Sequence, residues 1–226
     1  MDTERNTLGR TSQFPFFVSA MGTLGSSHPG AEPLLPPEEI MDAHLDEQRL
    51  LGNQSPLNLS FQLCMPVDRT RAKSLIQRVK AAGYQSLVRG SPGSRFGRWW
   101  SWKDLDWISS EWSGPLVLKG IQSVKDVKLA VQHGVQGILL SNHGGRQIHS
   151  APSSLMTLLE IRTYYPEAFN KLQVFVDGGL RDGADVVKAL CLGATAVGVG
   201  RRYYYALAGY GAEGVERCTD ILAEEF

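Results

Sequence analysis

The chain has 226 residues, 42% hydrophobic and 20% charged, and its 23 basic residues balance 23 acidic ones. Such a composition belongs to a globular chain able to bury a sizeable core, and zero net charge without a long basic run argues against nucleic acid or an anionic membrane as partner. The sequence shows no 18-residue apolar span, charged-then-apolar leader or terminal Ser-Lys-Leu, so a cytoplasmic setting is expected. The widely spaced Cys64, Cys191 and Cys218 read as reduced core thiols, neither disulfides nor metal ligands.

In chain order, the polar residues 1–13 give way to Phe-Pro-Phe-Phe-Val-Ser-Ala-Met-Gly (14–22), a buried strand opening into a loop with Ala20, Met21 and Gly22 at its carboxyl edge. Residues 25–58 are proline-rich and offer one helix, over 38–51. Period-two alternation over 57–63 gives a strand with Gln62 near its end. An amphipathic helix over 69–82 stops at Gly83, and 85–88 is a short strand. Residues 90–100 are a loop whose arginines and tryptophans suit packing and rim contacts. Helix is expected over 101–110, strand over 115–120, and helix over 123–133 with Ser123 as cap and Gly134 as its end. The unit repeats: a strand over 137–140, a helix over 155–164, a strand over 173–176, a helix over 185–190, a strand over 196–200, and helices near 202–208 and 212–225. Alternating strand and helix at this spacing means a parallel sheet with helices outside it, and the late units suit a (β/α)8 barrel.

Candidate chemistry sits at the carboxyl ends of these strands, the edge where parallel α/β folds place their sites. After Leu140 comes Ser141-Asn142-His143-Gly144-Gly145-Arg146-Gln147. Histidine can take and return a proton near neutral pH, and arginine can hold a carboxylate through two parallel hydrogen bonds. A helix-capping histidine and a surface arginine are the plainer alternative from these residues alone. Lys119 ends the preceding strand, so it points to the same cleft. Asp177-Gly178-Gly179-Leu180-Arg181 and Gly200-Arg201 leave the last two strands, and two adjacent glycine-rich turns, each with an arginine, make a phosphate site.

The run SNHGGRQ (141–147), followed by DGGLRDGADVVKALCLGATAVGVGR (177–201), resembles the FMN-dependent α-hydroxy-acid dehydrogenase/oxidase family, which contains glycolate oxidase, lactate oxidase and the flavin domain of flavocytochrome b2. PLVLKG (115–120), FPFFVSAMGTLGSSHP (14–29), PEEI (37–40), FQL (61–63) and SWKDLDWI (101–108) match it in order. The resemblance covers most of the chain and is strongest over 101–226. It implies one domain over 1–226, a TIM-type barrel with FMN across the strand ends, and oxidation of a 2-hydroxy acid to the 2-oxo acid. By position, Ala20, Met21, Gly22, Gln62, Lys119 and Ser141 would contact the flavin, and Asp177, Gly178, Gly179, Arg181, Gly200 and Arg201 would hold its ribityl chain and phosphate. His143 would be the base, Arg146 the clamp for the substrate carboxylate, and Lys119 the cation that stabilises the reduced ring. No metal is implied, and a homo-oligomer is left open.

The chain departs from that pattern in three positions and in length. Pro92 stands where the family places the carboxylate partner of the imidazolium, Trp99 where it places a second substrate-binding arginine, and Cys64 where it places a tyrosine. The second barrel strand and the long loop before residue 101 have no counterpart, so the barrel is expected to be incomplete. Two readings follow: an FMN-dependent oxidoreductase acting on a hydroxy acid or a larger organic substrate, and a non-catalytic FMN- or phosphate-binding remnant serving as a binding or assembly protein.

Overall fold

The computed structural model describes residues 5–12, 14–19, 36–50, 58–63, 68–90, 101–146 and 148–226. Nine strands and seven helices alternate among them: β1 (Arg5–Thr7), β2 (Arg10–Ser12), β3 (Phe16–Val18), α1 (Pro37–Leu50), β4 (Ser60–Leu63), α2 (Arg69–Ala81), β5 (Ser86–Arg89), α3 (Asp104–Glu111), β6 (Leu116–Ile121), α4 (Val124–Gln132), β7 (Gly137–Leu140), α5 (Ser154–Tyr164), β8 (Gln173–Asp177), α6 (Gly183–Cys191), β9 (Ala196–Val199) and α7 (Arg201–Glu225). β3 to β9 form one parallel sheet in the order β3-β9-β8-β7-β6-β5-β4. This is a curled, partial TIM barrel: β3 and β9 pair as the first and last strands of such a barrel do. Among the described residues β3 and β4 are the margins of the sheet and no strand joins them.

The helices start where local chemistry starts them. Asp68, Ser123, Ser153 and Asp182 each accept a hydrogen bond from a backbone amide two or three residues on, satisfying one of the donors a helix leaves open at its first turn. Each helix lays an apolar stripe on the sheet: Ala72, Ile76 and Val79 from α2, Val127 and Ala130 from α4, Leu158 and Ile161 from α5, Val186 and Ala189 from α6. They meet Leu118, Ile138, Leu140, Val174, Val176 and Val197 on the outer face of the strands. Side chains alternate along a strand, so the intervening residues face inward. Val88, Val117, Leu139, Phe175, Ala196 and Phe17 accordingly form a separate layer inside the curl.

Two features differ from the expectation drawn from sequence. Residues 5–12, expected only as a polar lead-in, form a hairpin turning at Leu8 and Gly9, both with positive φ. Leu8 packs against the inner layer, and Gln173 ties the hairpin down, accepting from the Leu8 amide at 2.8 Å and donating to the Asn6 carbonyl at 3.0 Å. The hairpin thus stoppers the amino end of the curl. Cys191 is exposed in the last turn of α6 and is not a core thiol. Cys218 is buried as expected, and Cys64 lies outside the described residues. The two helices expected near 202–208 and 212–225 are present as the two legs of α7, separated at Gly211, whose φ of 62° and ψ of −148° reverse the chain. Among the described residues no helix is long and apolar enough to cross a membrane.

Candidate active site at the carboxyl ends of the strands

The parity that makes the inner layer also builds the site. Two residues beyond Val117, Leu139, Phe175 and Phe17 come Lys119, Ser141, Asp177 and Ser19, each turned inward at the carboxyl end of its strand and each buried. Register shifts between Lys119 and Ile121, with Gly120 at a φ of 91°, so a bulge ends β6 just after the lysine. Lys119 Nζ lies 3.1 Å from Asp177 Oδ2, and both side chains are only 7% exposed. The Ser19 hydroxyl donates to the same carboxylate oxygen at 3.2 Å. A lysine buried at this depth needs a counter-charge, and Asp177 supplies it across two strands. Gly198 is bare because a Cβ there would lie 2.3 Å from Ser19 Oγ and 2.9 Å from Asp177 Cβ.

His143 follows Ser141 in a tight 3-10 turn, His143–Gly145, whose three residues all have positive φ, at 56°, 66° and 78°. A histidine in the left-handed region is uncommon, and it is held here by its neighbours. Its amide donates to Ser141 Oγ at 3.2 Å, and Asn142 Oδ1 accepts from the Gly145 amide at 3.2 Å. The Ser141 carbonyl accepts from Gln122 Nε2 at 3.1 Å. The imidazole stands exposed at the mouth of the cleft. Partial desolvation lowers its pKa from 6.5, the charge of Lys119 lowers it further, Asp177 opposes and Arg146 adds a smaller lowering. The neutral, proton-accepting form is therefore favoured at pH 7. Arg146 closes the turn and is exposed.

On the far side of Asp177 the two helix starts differ. At α6, Asp182 accepts from the Asp185 amide at 2.8 Å, Asp185 accepts from the Arg181 amide at 3.2 Å, and Glu225 accepts from the Gly183 amide at 3.1 Å, so the chain's own carboxylates occupy this end. At α7, Gly200 provides no side-chain cap. Arg201, in that first turn, reaches back to donate to the Gly144 carbonyl at 3.3 Å, linking the last strand end to the His143 turn. Gly178 and Gly179 carry φ values of 90° and 92°. Asn142 Oδ1 fills the space a Cβ on Gly178 would need, at 2.6 Å, whereas Gly179 faces open space. Among the described residues no carboxylate pairs with Arg146, Arg181 or Arg201.

The residues expected at the site therefore converge where they are described. Lys119, Ser141, His143, Asp177, Gly200 and Arg201 share one end of the sheet, and Gln62, paired in register with the inward-facing Val88, ends β4 on the same edge. Ala20, Met21 and Gly22 lie outside the described residues, as do Cys64, Pro92 and Trp99. The sequence reading missed Ser19 and Asn142. Alternation from Phe17 could have found the first, whereas the second acts through contacts with Gly178 and Pro152 that no local pattern carries. Among the described residues no group of three or more His, Cys, Asp or Glu side chains could hold a metal ion.

A family model described as FMN-dependent dehydrogenase matches residues 92–226. The chain is 46% identical over 127 residues to an L-lactate dehydrogenase (cytochrome) of Wickerhamomyces anomalus, covering 55% of this chain and 22% of the relative. It is 39% identical over 151 residues to the glycolate oxidase of Spinacia oleracea, covering 67% of this chain and 39% of the relative. Among solved structures, the flavin-binding domain of baker's yeast flavocytochrome b2 superposes with a TM-score of 0.85 at 30% identity, over 99% of this chain and 66% of that one. A mandelate oxidase variant with a monooxide FMN adduct gives 0.82 at 30% identity, over 99% and 76%. The chain thus spans well under half the length of these curated relatives, and it belongs to the FMN-dependent dehydrogenase family.

Proposed function

We propose that residues 1–226 act as one domain that binds FMN across the carboxyl ends of β3 to β9 and oxidises a 2-hydroxy acid to the 2-oxo acid. The observation that carries this reading is the convergence, at one sheet edge, of a buried lysine, an imidazole whose pKa is lowered and, beside a helix start with no side-chain cap, two arginines that have no carboxylate partner among the described residues. The donor set fits FMN. Gly145 and Gly179 leave backbone open where a Cβ would stand, and Arg181, Arg201 and the first turn of α7 offer the positive field a phosphate needs. Gly178, Gly179, Arg181, Gly200 and Arg201 would hold the phosphate end. Asp177 would take the ribityl hydroxyls, and Gln62, Lys119 and Ser141 would face the ring, together with Ala20, Met21 and Gly22.

FMN, when bound, supplies the acceptor for the electron pair leaving the α-carbon. His143 accepts the hydroxyl proton of the substrate, a task for which a lowered pKa leaves it unprotonated at neutral pH. Arg146, exposed and without a carboxylate partner among the described residues, orients the substrate carboxylate, which contributes position. Lys119 places a positive charge where negative charge develops, and Asp177, 3.1 Å away, holds that ammonium in position. Small 2-hydroxy acids suit this arrangement, and the relatives, an L-lactate dehydrogenase and a glycolate oxidase, support that reading.

The test is the visible absorption spectrum of the purified chain with FMN, followed by anaerobic addition of a panel of 2-hydroxy acids. Retained flavin that bleaches with an acid is expected. Failure to retain flavin, or retained flavin that no acid bleaches, would sink the oxidoreductase reading.

A further inference from the structure

The loop after β8 is held from behind by the far end of α7. Because Gly211 reverses the chain, the second leg of α7 runs back along the first: Tyr203 and Thr219 share a hydrogen bond at 3.1 Å, and Gly214 sits where a Cβ would meet the Ala206 carbonyl at 2.4 Å. Val199, Tyr203, Cys218 and Leu222 fill the seam. The return leg brings Glu225 beside Arg202, although the two are separated by 23 residues, and beside the start of α6. There Glu225 Oε2 accepts from the Gly183 amide at 3.1 Å and from Arg202 Nη1 at 3.5 Å. The same Arg202 nitrogen donates to the Arg181 carbonyl. Gly183 is buried, and a Cβ on it would strike the Glu225 backbone at 2.4 Å.

We infer that Glu225 and Arg202 are positioning residues for phosphate recognition, an inference that rests on the FMN reading. Together they fix the Arg181 carbonyl and the Gly183 amide, two points of the loop that carries the Gly178–Gly179 backbone and the Arg181 side chain. A half-exposed ion pair alone contributes little. This one matters because its members also bond the α6 end of a loop whose glycines offer no side chains to hold it. The arrangement has a second effect: with Glu225 on the Gly183 amide, the α6 start is closed to an anion, and the uncapped α7 start, with Arg201, is the one left to receive it.

The inference is tested on the 226-residue chain by flavin fluorescence quenching, comparing FMN with riboflavin, which lacks the phosphate. Glu225→Ala and Arg202→Gln are each expected to raise the Kd for FMN about tenfold and leave that for riboflavin unchanged, and the double variant to cost little more than either. Glu225→Gln keeps an acceptor for Gly183 and is expected to lose less; it carries the same comparison if Glu225→Ala does not fold. Equal weakening of both flavins would mark a merely structural contact and overturn the inference, as would unchanged FMN affinity in the variants. A parent chain that binds FMN while the variants match it removes only this inference. A parent chain that binds neither flavin removes the FMN reading as well.

Discussion

From β6 to α7 strand and helix alternate without a break, and each of β6, β7, β8 and β9 has a strand on both sides. From residue 14 to 90 the described elements are sparser, and β3 and β4 each have one strand neighbour among the described residues. The polar side chains of the candidate site divide the same way. Lys119, Ser141, His143, Arg146, Asp177, Arg181 and Arg201 come from the first region, and the second gives Ser19 and Gln62. A strand flanked on both sides has its ladder satisfied and its side chains locked by two neighbours, so it can hold a charged group in a fixed place. A marginal strand cannot do so to the same degree. The chemistry of this chain is carried by its doubly flanked strands.

That division can be broken or sharpened in a graded series. The largest expected effect is His143→Ala, which should lower turnover of the responsive acid by about 10²–10⁴-fold while FMN stays bound, measured as the anaerobic rate of flavin bleaching; persistence of the parent rate would remove His143 as base. Next is Asp177→Asn, which leaves the Lys119 ammonium buried without its counter-charge and should cost about 3–5 kcal/mol of stability in urea unfolding. Ile138→Ala in β7, at a fully buried site, should cost about 2–5 kcal/mol, whereas Val18→Ala in β3, 52% exposed, should stay within about 0.5 kcal/mol. Equal costs at the two positions would contradict the contrast between the regions. The smallest effect is a pH dependence. His143 has a folded pKa below its ordinary 6.5, so its contribution to stability is full above 6.5 and is lost as pH falls from there through the folded value. His143→Gln should flatten that part of the stability profile, read as Tm against pH.

The sequence carried the parts of the fold that local chemistry determines. The caps at Ser123 and Asp182, the apolar stripe of α2 and the β-rich runs of β6 to β9 are each written within a dozen residues. Period-two alternation then aims Lys119 and Asp177 inward without further information. What escaped was non-local. The β1–β2 hairpin has a Leu-Gly turn and polar strands, and its hold is the Gln173 side chain, more than 160 residues away. Cys191 looked apolar by its neighbours Leu190 and Leu192, yet its place in the last turn of α6 faces outward. Of the two helix starts that a glycine-rich turn could offer an anion, sequence could not choose between them, because Glu225, which closes one, lies 42 residues beyond Gly183.

The pairing of β3 with β9 also sets how far apart in the chain its partners must be brought together. Phe16 lies in register with Val197, and the hairpin ahead of it docks on Gln173. Among the described residues β3 therefore has no partner until β9 is made, while β6, β7 and β8 pair with strands close to them in sequence and β1 pairs with β2. β3 therefore closes the longest loop of the sheet, and its pairing is the one that costs the most chain entropy to form.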